Sequence, residues 1–198
     1  MANPTTNKAA ESHLLPFDRL NVWTQFKFQL HNLQDDADPD DQDTVKAIPK
    51  SAGQPNGRFD TIIALQTDEA QSTGVEGTRI GRVRIIFRLP DKVVIGNGMQ
   101  VASPAIWPKE PLAYIEWYQT LLPNPDKYHG MYVIRKRHSL HPQCSIIPTT
   151  NIRQSCMLFP NFGKESPPKE WKSDTVLDLA PSFFLNNWQS LYSYQSLW

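Results

Sequence analysis

Apolar and polar residues alternate one by one through several short stretches of this chain, and Pro or Gly interrupts each stretch before it grows long. A period of two fits a pleated strand with one face buried, whereas a helix needs apolar residues three and four apart. Over 22–30, Val22, Thr24, Phe26, Phe28 and Leu30 share one parity, against Gln25, Lys27, Gln29 and His31 on the other. Over 59–65, Phe59, Thr61, Ile63 and Leu65 fall on one side. The longest case is 79–89, where Val83, Ile85, Phe87 and Leu89 oppose Arg82, Arg84, Ile86 and Arg88, until Pro90 removes a ladder donor.

The same pattern continues at 112–121, where Tyr114, Glu116 and Tyr118 oppose Ile115 and Trp117. Pro123-Asn124-Pro125-Asp126 then turns the chain toward a strand at 130–137, and the two segments are expected to pair as an antiparallel hairpin. Shorter extended pieces are expected at 93–95, 145–147, 157–159 and 183–185. Thr149-Thr150-Asn151 offers a cap for one helical turn through Gln154. The expected fold is mainly β: a small antiparallel barrel or sandwich with long loops and little helix.

The organisation follows from what lies between the strands. Residues 1–15 carry no periodicity and read as a disordered lead-in, 16–188 as a single β-rich domain, and 189–198 as a short tail. Length agrees, because 198 residues suffice for one domain with a core and not for two ordinary ones. The run 35–43 holds six aspartates, which repel one another and have nothing to bury, so it reads as a solvated loop. A calcium loop needs a Gly turn and a terminal bidentate Glu, and this run has neither. Pro55-Asn56-Gly57 supplies a turn.

Charge limits the partners. Twenty basic residues balance twenty acidic ones, whereas a DNA-coating domain usually carries a positive excess. No apolar run approaches the roughly 20 residues that span a bilayer, and the polar start over 1–12 lacks the apolar centre of a secretory signal. An intracellular protein without a membrane partner is expected; Arg135-Lys136-Arg137 is a short basic triplet of the kind found in nuclear-import signals.

Motifs for chemistry are sparse. Gly-x-Ser-x-Gly, the phosphate-cradling Gly-Lys-Ser/Thr loop, Gly-x-Gly-x-x-Gly and His-Glu-x-x-His are all absent. Cys144 and Cys156, even with His138 and His141, match no zinc spacing. Cys156 precedes Met157-Leu158-Phe159 and reads as a packed thiol, not a thiolate. Asp60 and Glu116 are two acids near strands without a third to complete a metal site. The expectation is no enzyme, no cofactor, no metal and no catalytic residue.

Two surfaces remain. Trp23, Tyr114, Trp117, Tyr118, Tyr132 and Trp171 read first as core and secondarily as an aromatic groove, with Tyr114, Trp117 and Tyr118 as the partner-binding candidates. Arg82, Arg84 and Arg88 read first as the wet side of a sheet. If their strand neighbours the others, they join Arg135, Lys136, Arg137 and Arg153 in a phosphate-contacting patch.

A series of short segments also recurs in order. It runs Asn56-Gly57-Arg58-Phe59-Asp60-Thr61, Leu112-Ala113-Tyr114-Ile115-Glu116-Trp117-Tyr118 and His129-Gly130-Met131-Tyr132-Val133. Ser145-Ile146-Ile147-Pro148 with Asn151-Ile152-Arg153, then Leu158-Phe159-Pro160 and Phe183-Phe184-Leu185-Asn186 complete it. This series, over residues 17–188, resembles the C-terminal region of fungal Plavaka-type transposases, relatives of CACTA-like DNA transposons. The resemblance implies that strand-transfer chemistry belongs to an upstream ribonuclease-H-like domain, and that this region is an accessory β-domain. The segments over 146–159 also look like a bromo-adjacent-homology barrel, a likeness of fold alone. The implied function is a non-catalytic interaction domain that binds protein or chromatin in the nucleus. A DNA-binding accessory domain using the Arg-bearing strand faces is the alternative.

Overall fold

The computed structural model describes residues 17, 19–29, 42–67, 74–95, 98–136, 142–164 and 166–186. The expected lead-in over 1–15, most of the acidic run (35–41), Arg137, His138, His141 and the tail over 189–198 lie outside the described residues.

Fourteen strands are described: β1 (Asn21–Trp23), β2 (Gln25–Gln29), β3 (Gln42–Ile48), β4 (Arg58–Phe59), β5 (Thr61–Leu65), β6 (Thr78–Arg88) and β7 (Lys92–Val94). They continue with β8 (Gln100–Ala102), β9 (Leu112–Trp117), β10 (Val133–Arg135), β11 (Cys144–Pro148), β12 (Ile152–Cys156), β13 (Leu158–Pro160) and β14 (Ser182–Leu185). A four-residue helix, α1 (Val176–Leu179), lies between β13 and β14. The fold is mainly β, and every described strand pair is antiparallel. The described strands form separate sheets and close into no barrel.

The largest sheet runs β11-β9-β6-β5-β12, and β1 lies alongside the far end of β6. Its inner strand β5, between β6 and β12, is buried on both faces. Neighbouring side chains of a strand point to opposite faces, yet Ile62 and Ile63 are both fully buried. Ile62 and Ala64 join Val45, Ala47, Val83, Ile86, Ala113, Ile115 and Trp117 in one core. Ile63 joins Ile80, Tyr118, Ile134, Cys156, Leu158, Phe183 and Leu185 in another. The β2-β3-β4 sheet supplies Val45 and Ala47 to the first core, and the β10-β14-β13 sheet supplies Ile134, Phe183 and Leu185 to the second.

Several expectations need correction. The segment 22–30 is two strands, broken at Thr24, whose carbonyl accepts from the Ala47 amide. The 112–121 and 130–137 segments do not form a hairpin ladder. Both edges of β9 are occupied, by β6 and β11, and β10 pairs with β14 instead. Among the described residues, only the Gln119 amide, at 3.0 Å from the Arg135 carbonyl, links the two segments by a backbone bond. The expected turn after Asn151 stops there: Thr149–Asn151 is 3-10 helix, and Ile152 begins β12 against β5.

The strict alternation expected for 79–89 also fails midway. The register of β6 against β9 shifts between Val83 and Ile85, so Arg84 is the extra residue of a bulge. Beyond it the facing inverts: Ile86 is fully buried, while Ile85 is 42% exposed. The acidic run ends in structure, not in solvent. Asp43 lies in β3 and accepts from both the amide and the hydroxyl of Ser155, tying β3 to β12.

Candidate functional site

Two of the arginines of β6, Arg82 and Arg84, point at a short segment that crosses the second core. Residues 171–180 contain α1, preceded by Thr175, whose hydroxyl accepts from the Lys172 amide at 3.0 Å and donates to the Glu170 carbonyl at 2.8 Å. Pro181, which cannot continue a helix, follows at once. Trp171, Val176, Leu177 and Ala180 pack into the second core and fix the segment's height over the sheet. The Asn56 amide anchors it from the side by donating to Asp174 at 2.8 Å.

Asp178 is thereby held against Arg82. The Arg82 Nη1 donates to Asp178 Oδ1 at 2.5 Å, and its Nε donates to the Phe59 carbonyl at 3.2 Å. The Arg82 side chain is only 6% exposed; that of Asp178 is 46% exposed. Arg84, turned by the bulge, donates through Nε to Glu116 at 2.6 Å, and its Nη2 lies 3.6 Å from Asp178. Both guanidinium groups stack over the Phe59 ring, at 5.6 and 5.0 Å from its centre. Burial pushes the Asp178 carboxyl up, but the Arg82 hydrogen bond and the Arg82, Arg84 and Lys136 charges outweigh it and hold the group below its ordinary value. Burial lowers the Lys136 ammonium and raises the Tyr118 phenol.

Two cavities flank this pair, and Arg82 and Leu177 line both. One, about 250 Å³, is walled by Arg82, Arg84, Glu116, Tyr118, Lys136 and Asp178. The other is an open cleft of about 580 Å³ that includes Arg58, Asp60, Thr61, Ser155 and Cys156. Here Asp60 accepts from Arg58 at 3.2 Å and from the Lys46 amide at 2.9 Å. Burial pushes the Cys156 thiol up to about 12, so it stays protonated at neutral pH. With Ellman's reagent at pH 8, the folded protein is expected to lose Cys144, which is partly exposed, and to keep Cys156 until it unfolds. Release of two equivalents at one fast rate would contradict that burial.

The sequence-derived candidates therefore scatter. Arg82, Arg84 and Lys136 come together around one cavity. Arg82 was expected on a wet sheet face and is buried, because the 171–180 segment covers it. Arg88 pairs with Asp91 at 3.5 Å, and Arg135 is exposed on β10. Arg153 is buried on β12 and donates to the Gly74 carbonyl at 2.6 Å. Arg137 lies outside the described residues.

Of the aromatic candidates, Trp117 and Tyr118 are 8% and 4% exposed and belong to the two cores, so neither offers an open face to a partner. Trp117 donates to the Ser145 hydroxyl at 2.6 Å. Tyr114 is half-buried, and a hydrogen bond with Cys144 is the first cause raising its phenol. Asp60 and Glu116 each serve an arginine, and no metal-binding cluster of three or more His, Cys, Asp or Glu occurs among the described residues. No described helix is long and apolar enough to cross a membrane.

Sequence reasoning missed Asp178. Its signal was a buried-strand arginine in need of a carboxylate, together with Val176-Leu177-Asp178-Leu179 ahead of Pro181, a short helix. It also missed a second surface. Trp23, Phe26 and Phe28 line an apolar groove of about 380 Å³ with Ile86, Pro111 and Thr149. The Phe26 and Phe28 rings stack at 5.1 Å, and Trp23 is 39% exposed.

Comparison with known proteins adds one finding. No curated protein and no solved structure matches this chain. A family model described as a domain of unknown function, DUF6830, matches residues 3–136, which hold β1 to β10 with Arg82, Arg84 and Lys136 but not Asp178. That match spans 134 of the 198 residues, and the chain belongs to the DUF6830 family.

Proposed function

We propose that this chain is a non-catalytic interaction domain that binds a protein or chromatin partner, as part of a fungal DNA transposase or of a nuclear protein derived from one. The groove lined by Trp23, Phe26 and Phe28 carries the reading. Partly exposed aromatic side chains around an apolar hollow are the usual anchors of a protein interface, since they bury large area at small entropic cost. The transposase origin rests on the ordered series of short segments from 56 to 186. We read the sheets stacked over two cores as an open sandwich, with a bromo-adjacent-homology domain as fold analogy only.

The carboxylates are held as partners of arginines: Asp60, Glu116 and Asp178 each accept from one. The same pairing weakens the alternative of DNA binding through β6, because Glu116, Asp178 and Asp91 sit beside the arginines that phosphates would need.

Reconstituted nucleosomes and naked duplex DNA provide the test. Binding to nucleosomes is expected to exceed binding to naked DNA and to persist as salt rises. The double substitution Trp23→Ser, Phe28→Ser should weaken it roughly 30-fold, the equivalent of about 2 kcal/mol at an aromatic anchor. Equal affinity for naked DNA with a steep salt dependence would replace this reading with the DNA-binding one. Failure to bind nucleosomes would remove chromatin as the partner.

A further inference from the structure

We propose that the cavity between β6, β9, β10 and α1 is a binding site for a small oxyanion of the phosphate class, either free phosphate or a phosphomonoester. Three cations wall it, Arg82, Arg84 and Lys136, against two carboxylates, Glu116 and Asp178. One positive charge is therefore left over in a partly buried space, where Arg82 is 6% exposed and Asp178 46%, and an uncompensated charge near the buried end is costly.

The donors are not used up. Arg82 commits Nε to the Phe59 carbonyl and Nη1 to Asp178, which leaves Nη2 without a partner among the described residues. Lys136 has no carboxylate within ion-pair distance among the described residues; its ammonium lies 6.0 Å from the Phe183 ring. Tyr118 is 4% exposed and lines the same cavity, and its hydroxyl has no hydrogen-bond partner among the described residues. A tetrahedral oxyanion accepts from several donors at once, and planar guanidinium forks suit it especially well.

Size and access narrow the ligand. About 250 Å³ is small for a drug-sized molecule, and the Arg82 side chain is 6% exposed, so a duplex backbone does not reach it. The site thus differs from an open DNA-contacting face and stands independently of the nucleosome reading above. Asp178 occupies part of the phosphate position. Its carboxylate, half exposed on a four-residue helix, is the competitor that an incoming anion displaces or joins.

Thermal unfolding and calorimetric titration of the full chain test this, with inorganic phosphate, phenyl phosphate and chloride at matched ionic strength. Millimolar phosphate is expected to raise the melting temperature where chloride does not. Lys136→Gln, at a half-buried site, should fold normally and bind phosphate at least tenfold more weakly. Asp178→Asn removes the competing charge and should bind at least tenfold more tightly, with a larger phosphate-induced shift than the wild type. Binding of phenyl phosphate as well would identify a monoester ligand; binding of inorganic phosphate alone would identify the free ion. If neither binds, or if Lys136→Gln and Asp178→Asn leave the phosphate response unchanged, the proposal is overturned.

Discussion

Replacing Gly81 with Val is expected to lower the stability of this protein by about 3 kcal/mol or more, the upper end of what overpacking a core costs. Gly81 sits in the middle of β6, opposite Ile62 on one side and Trp117 on the other. A methyl group there would stand 2.3 Å from Ile115 Cγ2 and 2.8 Å from Trp117 Cε3. Both neighbours are buried in the first core, so neither can move aside without disturbing others. For a chain of this size the loss corresponds to a fall of roughly 6–12 °C in melting temperature. Gly81→Ala should show a smaller loss that shrinks further in an Ile115→Ala background, because the closest colliding atom is gone. Additive losses in that double mutant would locate the effect outside this contact.

The second large effect concerns the Arg82–Asp178 pair and is asymmetric. A surface ion pair contributes about 0–1 kcal/mol whichever partner is removed. Breaking a buried pair costs about 3–5 kcal/mol when the survivor stays buried without a counter-charge. Here the survivor differs by mutant. Asp178→Asn leaves an arginine whose side chain is 6% exposed, whereas Arg82→Met leaves a carboxylate that is 46% exposed and can meet water. Discounting for the solvent that reaches Asp178, the first change should cost roughly 2–3 kcal/mol and the second about 1 kcal/mol. Chemical denaturation of both variants measures the difference, and equal losses would show that the pair behaves as a surface bridge.

Acid should act on the same pair. The carboxyl of Asp178 is held below its ordinary value when folded. Its contribution is therefore present above the unfolded carboxylate pKa, about 3.9, and is lost as pH falls through the lower folded value. The stability gap between wild type and Asp178→Asn is expected to close in that acid range and to stay constant from pH 5 to 7.

The strands were largely legible because alternation is local. Thr61 to Leu65, Thr78 to Arg88 and Leu112 to Trp117 all lie within the segments where period two places strands, although the expected strand from Phe59 breaks at Asp60 and leaves Phe59 in another sheet. What alternation cannot carry is a bulge. One inserted residue, Arg84, reverses the facing of everything beyond it, so Ile85 reaches solvent where Ile86 is buried. Nor does it carry pairing. The turn at 123–126 suggested that neighbours in sequence would pair, yet β9 takes β11 and β10 takes β14, each partner at least 26 residues away.

The candidate site was half legible. Arg82, Arg84, Glu116 and Lys136 all stood out in the sequence, but in different roles: a patch, a metal acid and a basic triplet. The β6–β9 pairing sets Arg82 opposite Glu116, and Asp178, which closes the site, comes from a segment 96 residues beyond Arg82. Tyr118 and Trp117 were marked as partner-facing, and both are core. An aromatic residue on an alternating strand has the same local pattern whether the layer over it is solvent or another sheet.

Sequence by itself determined that this chain folds mainly as short strands, because the alternation that specifies a strand is set by residues next to one another. Tertiary structure decided which faces are covered, which arginines are neutralised and where a groove and a cavity open. Those depend on which distant strand docks on which face, and the free energy that selects the docking is a sum over contacts that no local stretch contains.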